Sequence, residues 1–221
     1  YVMRIEEHSI LFIDEIHRMT NIVEEFLYPV MEDFKVDMSI SGKEMLGEIM
    51  SVDIPKFTLI GATTEYGSLS KPLIDRFEHR HTLVLYNKVE LKQIIDYNSE
   101  KLNLKMSEKA SNFVTTVSRG TPRTANALLQ WVRDYGIAHG LETLSEGDVE
   151  AAMAMKGIDR EGMTNVDRKY LKVLRKSGQP LGINTICSIM GSDRETIEGI
   201  IEPWLLRNNK ILKTSKGRVV V

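Results

Sequence analysis

A run of four apolar residues closed by two adjacent acids, within Ser9-Ile10-Leu11-Phe12-Ile13-Asp14-Glu15-Ile16-His17-Arg18, constrains this chain more than any other stretch. The run is too short for a helix and lacks the alternation of a half-buried strand, so it predicts a strand covered on both faces in a parallel sheet. Ligands of open α/β sheets gather beyond the carboxyl ends of the strands. Two carboxylates at such an end suit a hydrated Mg²⁺ and an oriented water, the chemistry of the Walker B element of nucleotide triphosphatases. The plainer reading is a buried strand whose Asp14 caps the next helix.

Downstream, Thr20 to Met31 sets Ile22, Val23, Phe26, Leu27, Val30 and Met31 at helical spacing behind a Thr20 or Asn21 cap. Phe34 to Ile40 alternates, turns at Ser41-Gly42-Lys43 and resumes from Ile49 to Ile54, a hairpin pattern. Its connection carries Met45, Leu46, Ile49 and Met50, adaptable side chains that either dock a partner or pack onto the parent domain. Phe57 to Ile60 predicts a second buried strand, ending in Gly61-Ala62-Thr63-Thr64. Small residues there admit close approach, and the hydroxyls are able to hold a water or a phosphate oxygen. Thr82 to Tyr86 predicts a third strand, and a helix between strands supports a parallel α/β layer. Arg76, in Pro72-Leu73-Ile74-Asp75-Arg76-Phe77, offers a planar fork for phosphate oxygens or, more plainly, a surface ion pair.

From Val89 the pattern becomes helical: Glu90 to Leu102, Ser107 to Ser118, Thr124 to His139, and Ser145 to Met155 with Ser145 as cap. Arg119-Gly120-Thr121-Pro122-Arg123 precedes the third of these and places Arg123 in a first turn, where a cation opposes the helix dipole. An anionic partner explains that placement better than packing does. Lys156 to Asn165, polar and holding Gly157 and Gly162, reads as a linker. Beyond it lie helical patterns at Val166 to Ser177, Ile183 to Ile189 and Arg194 to Leu205, then a hairpin from Lys210 to Val221 turning at Ser215-Lys216-Gly217. Three helices and a two-stranded wing make a helix-turn-helix architecture.

Charge sharpens this. Thr164 to Val221 holds eleven Lys and Arg against five Asp and Glu, plus six in a chain whose net charge is -2. Such a tail either meets a polyanion, most simply nucleic acid, or is a solvated face. The lone Cys187 permits no internal disulfide and reads as a small buried hydrophobe. No run of 18 apolar residues and no signal-peptide pattern occur, which argues against membrane and secretion and for a cytoplasmic protein.

The run from Phe12 to Arg18, Leu27-Tyr28-Pro29, Met31-Glu32-Asp33-Phe34, Gly61 to Thr64, Pro72-Leu73, Asp75-Arg76-Phe77, Arg119 to Arg123, Asp167-Arg168-Lys169, Glu202-Pro203 and Gly217-Arg218 together resemble the RuvB family, bacterial AAA+ motors that migrate Holliday junctions. The order and spacing hold over essentially the whole chain. The resemblance implies α/β plus all-α: part of an AAA+ core over 1–86 with a hairpin protruding near 36–54, a helical lid over 87–160 and a winged helix over 161–221. It implies ATP and Mg²⁺ as cofactors, with Asp14 organising the metal, Glu15 polarising water and Thr64, rather than Thr63, as first sensor. Arg76 matches an arginine finger that reaches a neighbouring subunit's γ-phosphate. Arg123 matches the second sensor, Tyr86 a residue beside the nucleotide, and Asp33 and Phe34 residues that meet the adjacent subunit's nucleotide. Lys213 and Arg218 match wing residues that contact DNA, with Lys216 beside them. The implied partners are duplex DNA and Holliday junctions, a RuvA-like junction-binding protein at the hairpin near Met45 to Met50, and other copies in a homo-oligomeric ring, a hexamer.

Some residues depart from the family. Ile74 stands where the family usually has a second arginine and Glu78 where it has glycine, and the hairpin tip from Ser41 to Ser51 is divergent. No G-x-x-x-x-G-K-[ST] occurs, and Ser41-Gly42-Lys43-Glu44 has neither the glycine spacing nor the hydroxyl. The expectation is therefore a C-terminal portion of a longer motor, inactive by itself. The alternative is a non-hydrolysing DNA-binding adaptor; a transcription regulator is weaker, since the last helix lacks a base-reading set of Arg, Asn and Gln.

Overall fold

The computed structural model describes residues 4–42 and 45–221, with the backbone alone over 39–49. The chain folds as two compact units, Tyr1–Thr82 and Leu83–Val221.

In the first unit, β1 (Ile10–Ile13) pairs in parallel with β4 (Thr58–Gly61), Ile10 opposite Thr58 and Ile13 opposite Gly61. Ile16 N–H donates to the Ala62 carbonyl at 2.9 Å and Ala62 N–H to the Ile13 carbonyl at 2.9 Å, so the two strands leave the sheet side by side. Gly61 suits this crowding: a Cβ would come within 2.8 Å of Ile16 Cδ1 and 3.1 Å of the Phe77 ring, so a larger residue would have to push those side chains aside. Helix α1 (Asn21–Glu32) buries Leu27 and Val30 against Val36, Ile54 and the edge-on pair Phe34 and Phe57. It is tied to α2 (Lys71–Arg76) by a buried carboxylate, Glu24, which accepts from the Ser70 hydroxyl at 2.5 Å. The hairpin joins β2 (Lys35–Gly42) to β3 (Met45–Asp53), antiparallel, with a register shift at Ile40 and Ser41.

Three expectations are corrected in these segments. Ile10 is 66% and Phe12 57% exposed while Leu11 and Ile13 are half-buried, Ile13 against the α1 core, so β1 is covered on one face and not on both. Thr82 to Tyr86 forms no strand, because nothing described pairs with its backbone, and Leu83 and Val84 stand in the open. The second hairpin strand starts at Met45, so Met45, Leu46, Ile49 and Met50 belong to β3 and not to a connection; Met50 is exposed. Lys43 and the side chains of Met45, Leu46 and Ile49 lie outside the described residues, and with them the docking reading of the tip.

The second unit begins with four helices, α3 (Lys88–Lys101), α4 (Glu108–Val117), α5 (Pro122–Ala138) and α6 (Glu146–Met155). Capping boxes at Asn87 with Glu90 and at Ser145 with Asp148 start α3 and α6. Their inner faces, Leu91, Ile95, Val114, Leu128, Leu129, Val132 and Met153 among them, make one core. A second core gathers α7 (Asn165–Ser177), α8 (Ile183–Met190), and a final helix that starts as α9 (Arg194–Thr196), passes through a π-helical segment (Ile197–Ile201) and ends as α10 (Glu202–Arg207). Cys187 packs against this core as a free thiol. The wing is β5 (Ile211–Thr214) against β6 (Gly217–Val220), with Leu181 bridging to Arg218 through two backbone bonds of 2.8 and 3.0 Å. Gly217, at φ 136°, lies so close to the Leu181 backbone that no side chain fits. No helix among the described residues is long and apolar enough to cross a membrane.

Candidate active site and nucleic-acid interface

The parallel register places the acids and the hydroxyls at neighbouring carboxyl ends. Glu15, left-handed at φ 49°, turns its carboxylate toward Thr64: Oε2 accepts from the Thr64 hydroxyl at 3.0 Å and its N–H at 3.3 Å. These bonds, with smaller help from His17 and Arg18, hold the Glu15 carboxyl below its ordinary value. Asp14 is exposed; its Oδ1 accepts the Glu15 N–H at 3.0 Å, and no cationic side chain pairs with it among the described residues. Thr63 points elsewhere: its hydroxyl lies 2.9 Å from His17 Nδ1, which is itself 3.2 Å from Glu15. His17, nearly buried, joins this cluster, a role that its sequence pattern alone does not declare. Its signal was its position two residues after Glu15.

Arg76 is held within its own unit. Its Nη2 lies 3.1 Å from Glu32, Nη1 donates to the Pro72 carbonyl at 2.9 Å, and the guanidinium sits 4.0 Å over the Tyr28 ring. Its Nε is buried without a partner among the described residues. The plainer reading, an ion pair, is what this geometry contains. Asp33 is exposed at the end of α1, whereas Phe34 turns its ring into the core beside Phe57.

In the second unit, Arg123 is exposed in the first turn of α5 and makes no ion pair among the described residues. The Tyr86 carbonyl lies against Gly120, so Tyr86 and the turn that carries Arg123 are neighbours. Arg119, in the same turn, has a quite different task. From a left-handed backbone at φ 58° it bonds the Gly162 carbonyl and the buried carboxylate of Asp167, and covers the Trp204 ring at 4.3 Å.

The wing departs from expectation in how its charges are engaged. Arg218 is only 12% exposed and pairs with Glu202 at 2.8 Å and Glu198 at 2.5 Å; Lys213 pairs with Glu202 at 2.6 Å. Glu202, fully buried, also accepts from Tyr170 at 2.7 Å. Burial works against its charge, but Arg218, Lys213 and Tyr170 outweigh it and hold the carboxyl below its ordinary value. Burial and the Glu202 charge push the Tyr170 hydroxyl up. Lys213 and Arg218 are thus not free cations at a hairpin tip, because the buried Glu202 and the half-buried Glu198 of the preceding helix claim them; Lys216, in the turn, is exposed. The overlooked signal was Glu198 and Glu202, one helical turn apart, before a basic hairpin.

An acid-ended parallel strand pair, a helical lid opening on a basic turn and a terminal winged helix define a chain of the AAA+ class with an appended nucleic-acid-binding fold. Family models match in the same order: the Holliday junction DNA helicase RuvB P-loop domain over 1–83, the RuvB AAA lid domain over 86–159 and the RuvB C-terminal winged helix domain over 160–221. The chain is 42% identical over 217 residues to the Holliday junction branch migration complex subunit RuvB of Rubrobacter xylanophilus, covering 97% of this chain and 61% of that one. Its counterpart in Fusobacterium nucleatum is 42% identical, with 98% and 65% covered. The solved Thermotoga maritima RuvB Holliday junction branch migration motor superposes with a TM-score of 0.80 at 35% identity, covering all of this chain and 69% of that one. The chain belongs to the RuvB family, and it spans about three fifths of the length of the curated relatives it matches.

Proposed function

We propose that this chain is part of a subunit of an ATP-driven, ring-forming DNA motor that migrates Holliday junctions. The observation that carries the reading is the Glu15 carboxylate, bonded to Thr64 where two parallel strands end. In this reading Thr64 holds Glu15 toward a water that it polarises, and Asp14 carries the metal. The donors fit: among the described residues no three Asp, Glu, His or Cys converge as a protein-only cage, and Mg²⁺ needs none, since one or two carboxylates, waters and substrate phosphates complete its shell. When bound, Mg²⁺ neutralises charge on the phosphates. Arg123 and Tyr86 attend the nucleotide from the lid, Asp33 and Phe34 border the next subunit's nucleotide, and Arg76 crosses to it as a finger once it leaves Glu32. Residues 1–221 by themselves turn over ATP negligibly, since the sequence holds no phosphate loop. The hairpin takes a RuvA-like partner, the ring is a hexamer, and the motor works in the cytoplasm on duplex DNA.

The test uses a full-length polypeptide with a phosphate loop. Arg76→Ala and Glu15→Gln subunits, each inactive alone, are mixed. Partial recovery of phosphate release is expected, from interfaces that join an intact site to an intact finger. No recovery at any ratio would mean that Arg76 serves its own subunit.

A further inference from the structure

The cations of the winged helix divide into engaged and free. Lys213 and Arg218 face Glu198 and Glu202, Arg194 faces Glu198, Arg168 faces Asp159 and Lys210 faces Glu161. Four that remain are on one helix. Lys169, Lys172, Arg175 and Lys176 of α7 are exposed, and none has a carboxylate partner among the described residues. Lys169 Nζ donates to the Met190 carbonyl at 3.2 Å, which anchors the stripe to the end of α8.

Helical geometry puts these four within about 120° of one another, on the side away from the buried Tyr170, Leu171 and Leu174. Among the described residues, the elements that pack on α7 bring no unpaired acid to the stripe. The one acid of α7, Asp167, is buried under Arg119; α8, packed beside it, has no charged residue; β6, also packed on it, has only the engaged Arg218. Lys169 and Lys176 are about 10 Å apart along the axis, a length over which duplex DNA presents about six phosphate charges.

We infer that this stripe of α7 is a contact surface for the phosphate backbone of duplex DNA, beside or in place of the wing tip. The inference rests on the DNA-motor reading above and adds where the duplex lies against the winged helix. Ammonium and guanidinium groups on a helix flank neutralise phosphates and carry no base code, so the contact is indifferent to sequence.

The test is a titration of the 221-residue chain with duplex DNA at several salt concentrations. Lys172→Ala, Arg175→Ala and Lys176→Ala together should reduce the slope of log K against log salt by about three units, roughly 0.9 per lost contact, and equally for unrelated sequences. Lys216→Ala should change it by no more than about one unit. Lys172→Arg with Lys176→Arg should keep the parental slope. Lys172→Glu alone, which should lower the slope by about one unit or more, gives the answer if the triple variant fails to fold. A parental slope in the triple variant while the parent binds duplex overturns the stripe and leaves the DNA reading standing. Failure of the parent chain itself to bind duplex overturns the DNA reading, and the stripe falls with it.

Discussion

The two carboxylate centres of this molecule are made of the same residue types and serve opposite ends. Glu202 is fully buried, and an arginine, a lysine and a tyrosine hold it. Glu15 leans chiefly on a neutral hydroxyl and a backbone N–H, with His17 Nδ1 3.2 Å away, and Asp14 beside it is exposed with no cation paired to it among the described residues. A carboxylate that is already neutralised has nothing left for a ligand, and removing its partner strands a buried charge. A carboxylate held by neutral donors keeps its charge and its remaining lone pairs for an incoming cation or water. Exposure and partner type, more than residue identity, separate a group that holds the fold from one left available to a ligand.

The contrast is broken most severely by Arg218→Ala. Chemical denaturation of the 221-residue chain should show a loss of about 3 kcal/mol, at the low end for breaking a buried pair because Lys213 and Tyr170 still reach Glu202. Glu15→Gln should leave the midpoint where it was. Equal losses in the two variants would erase the distinction between the centres. Arg119→Ala should cost about 2 kcal/mol, the scale of hydrogen bonds to a charged group, since Asp167 keeps its Thr164 cap. A change confined to nucleotide affinity would instead give Arg119 the role proposed for Arg123.

The smallest effect is on pH dependence. The folded Glu202 carboxyl lies below its ordinary value of 4.5, so its contribution to stability is complete above that pH and is lost as pH falls through the lowered value. Glu202→Gln should therefore flatten the acid limb of the stability profile, while lowering stability at neutral pH. An acid limb as steep as the parent's would assign it to other carboxylates.

Much of this layout was legible in the sequence, for a physical reason in each case. The lid helices declare themselves by apolar spacing and by caps such as Ser145 with Asp148, which act within a few residues of chain. The acids of Asp14-Glu15 follow a short apolar run, and Gly61 sits where Ile16 and Phe77 crowd the backbone. Long-range pairing was not legible. Whether β1 is covered, and whether Thr82 to Tyr86 joins a sheet, depends on neighbours that a local pattern does not contain. Nor do charge counts show which cations are engaged: Lys213 and Arg218 look like a basic tip until the fold brings Glu198 and Glu202 beneath them.

The segment between lid and winged helix reads as a linker in the sequence and is hydrogen-bonded along its length in the fold. Arg168 grips the Gly157 and Met163 carbonyls and Asp159, while Arg119 reaches from the lid to the Gly162 carbonyl. Each end of the segment is thus fastened by a guanidinium from one of the two bodies it joins. Backbone carbonyls fastened in this way leave the segment less free to open than its polar, glycine-bearing composition suggests, which lowers the access a protease needs.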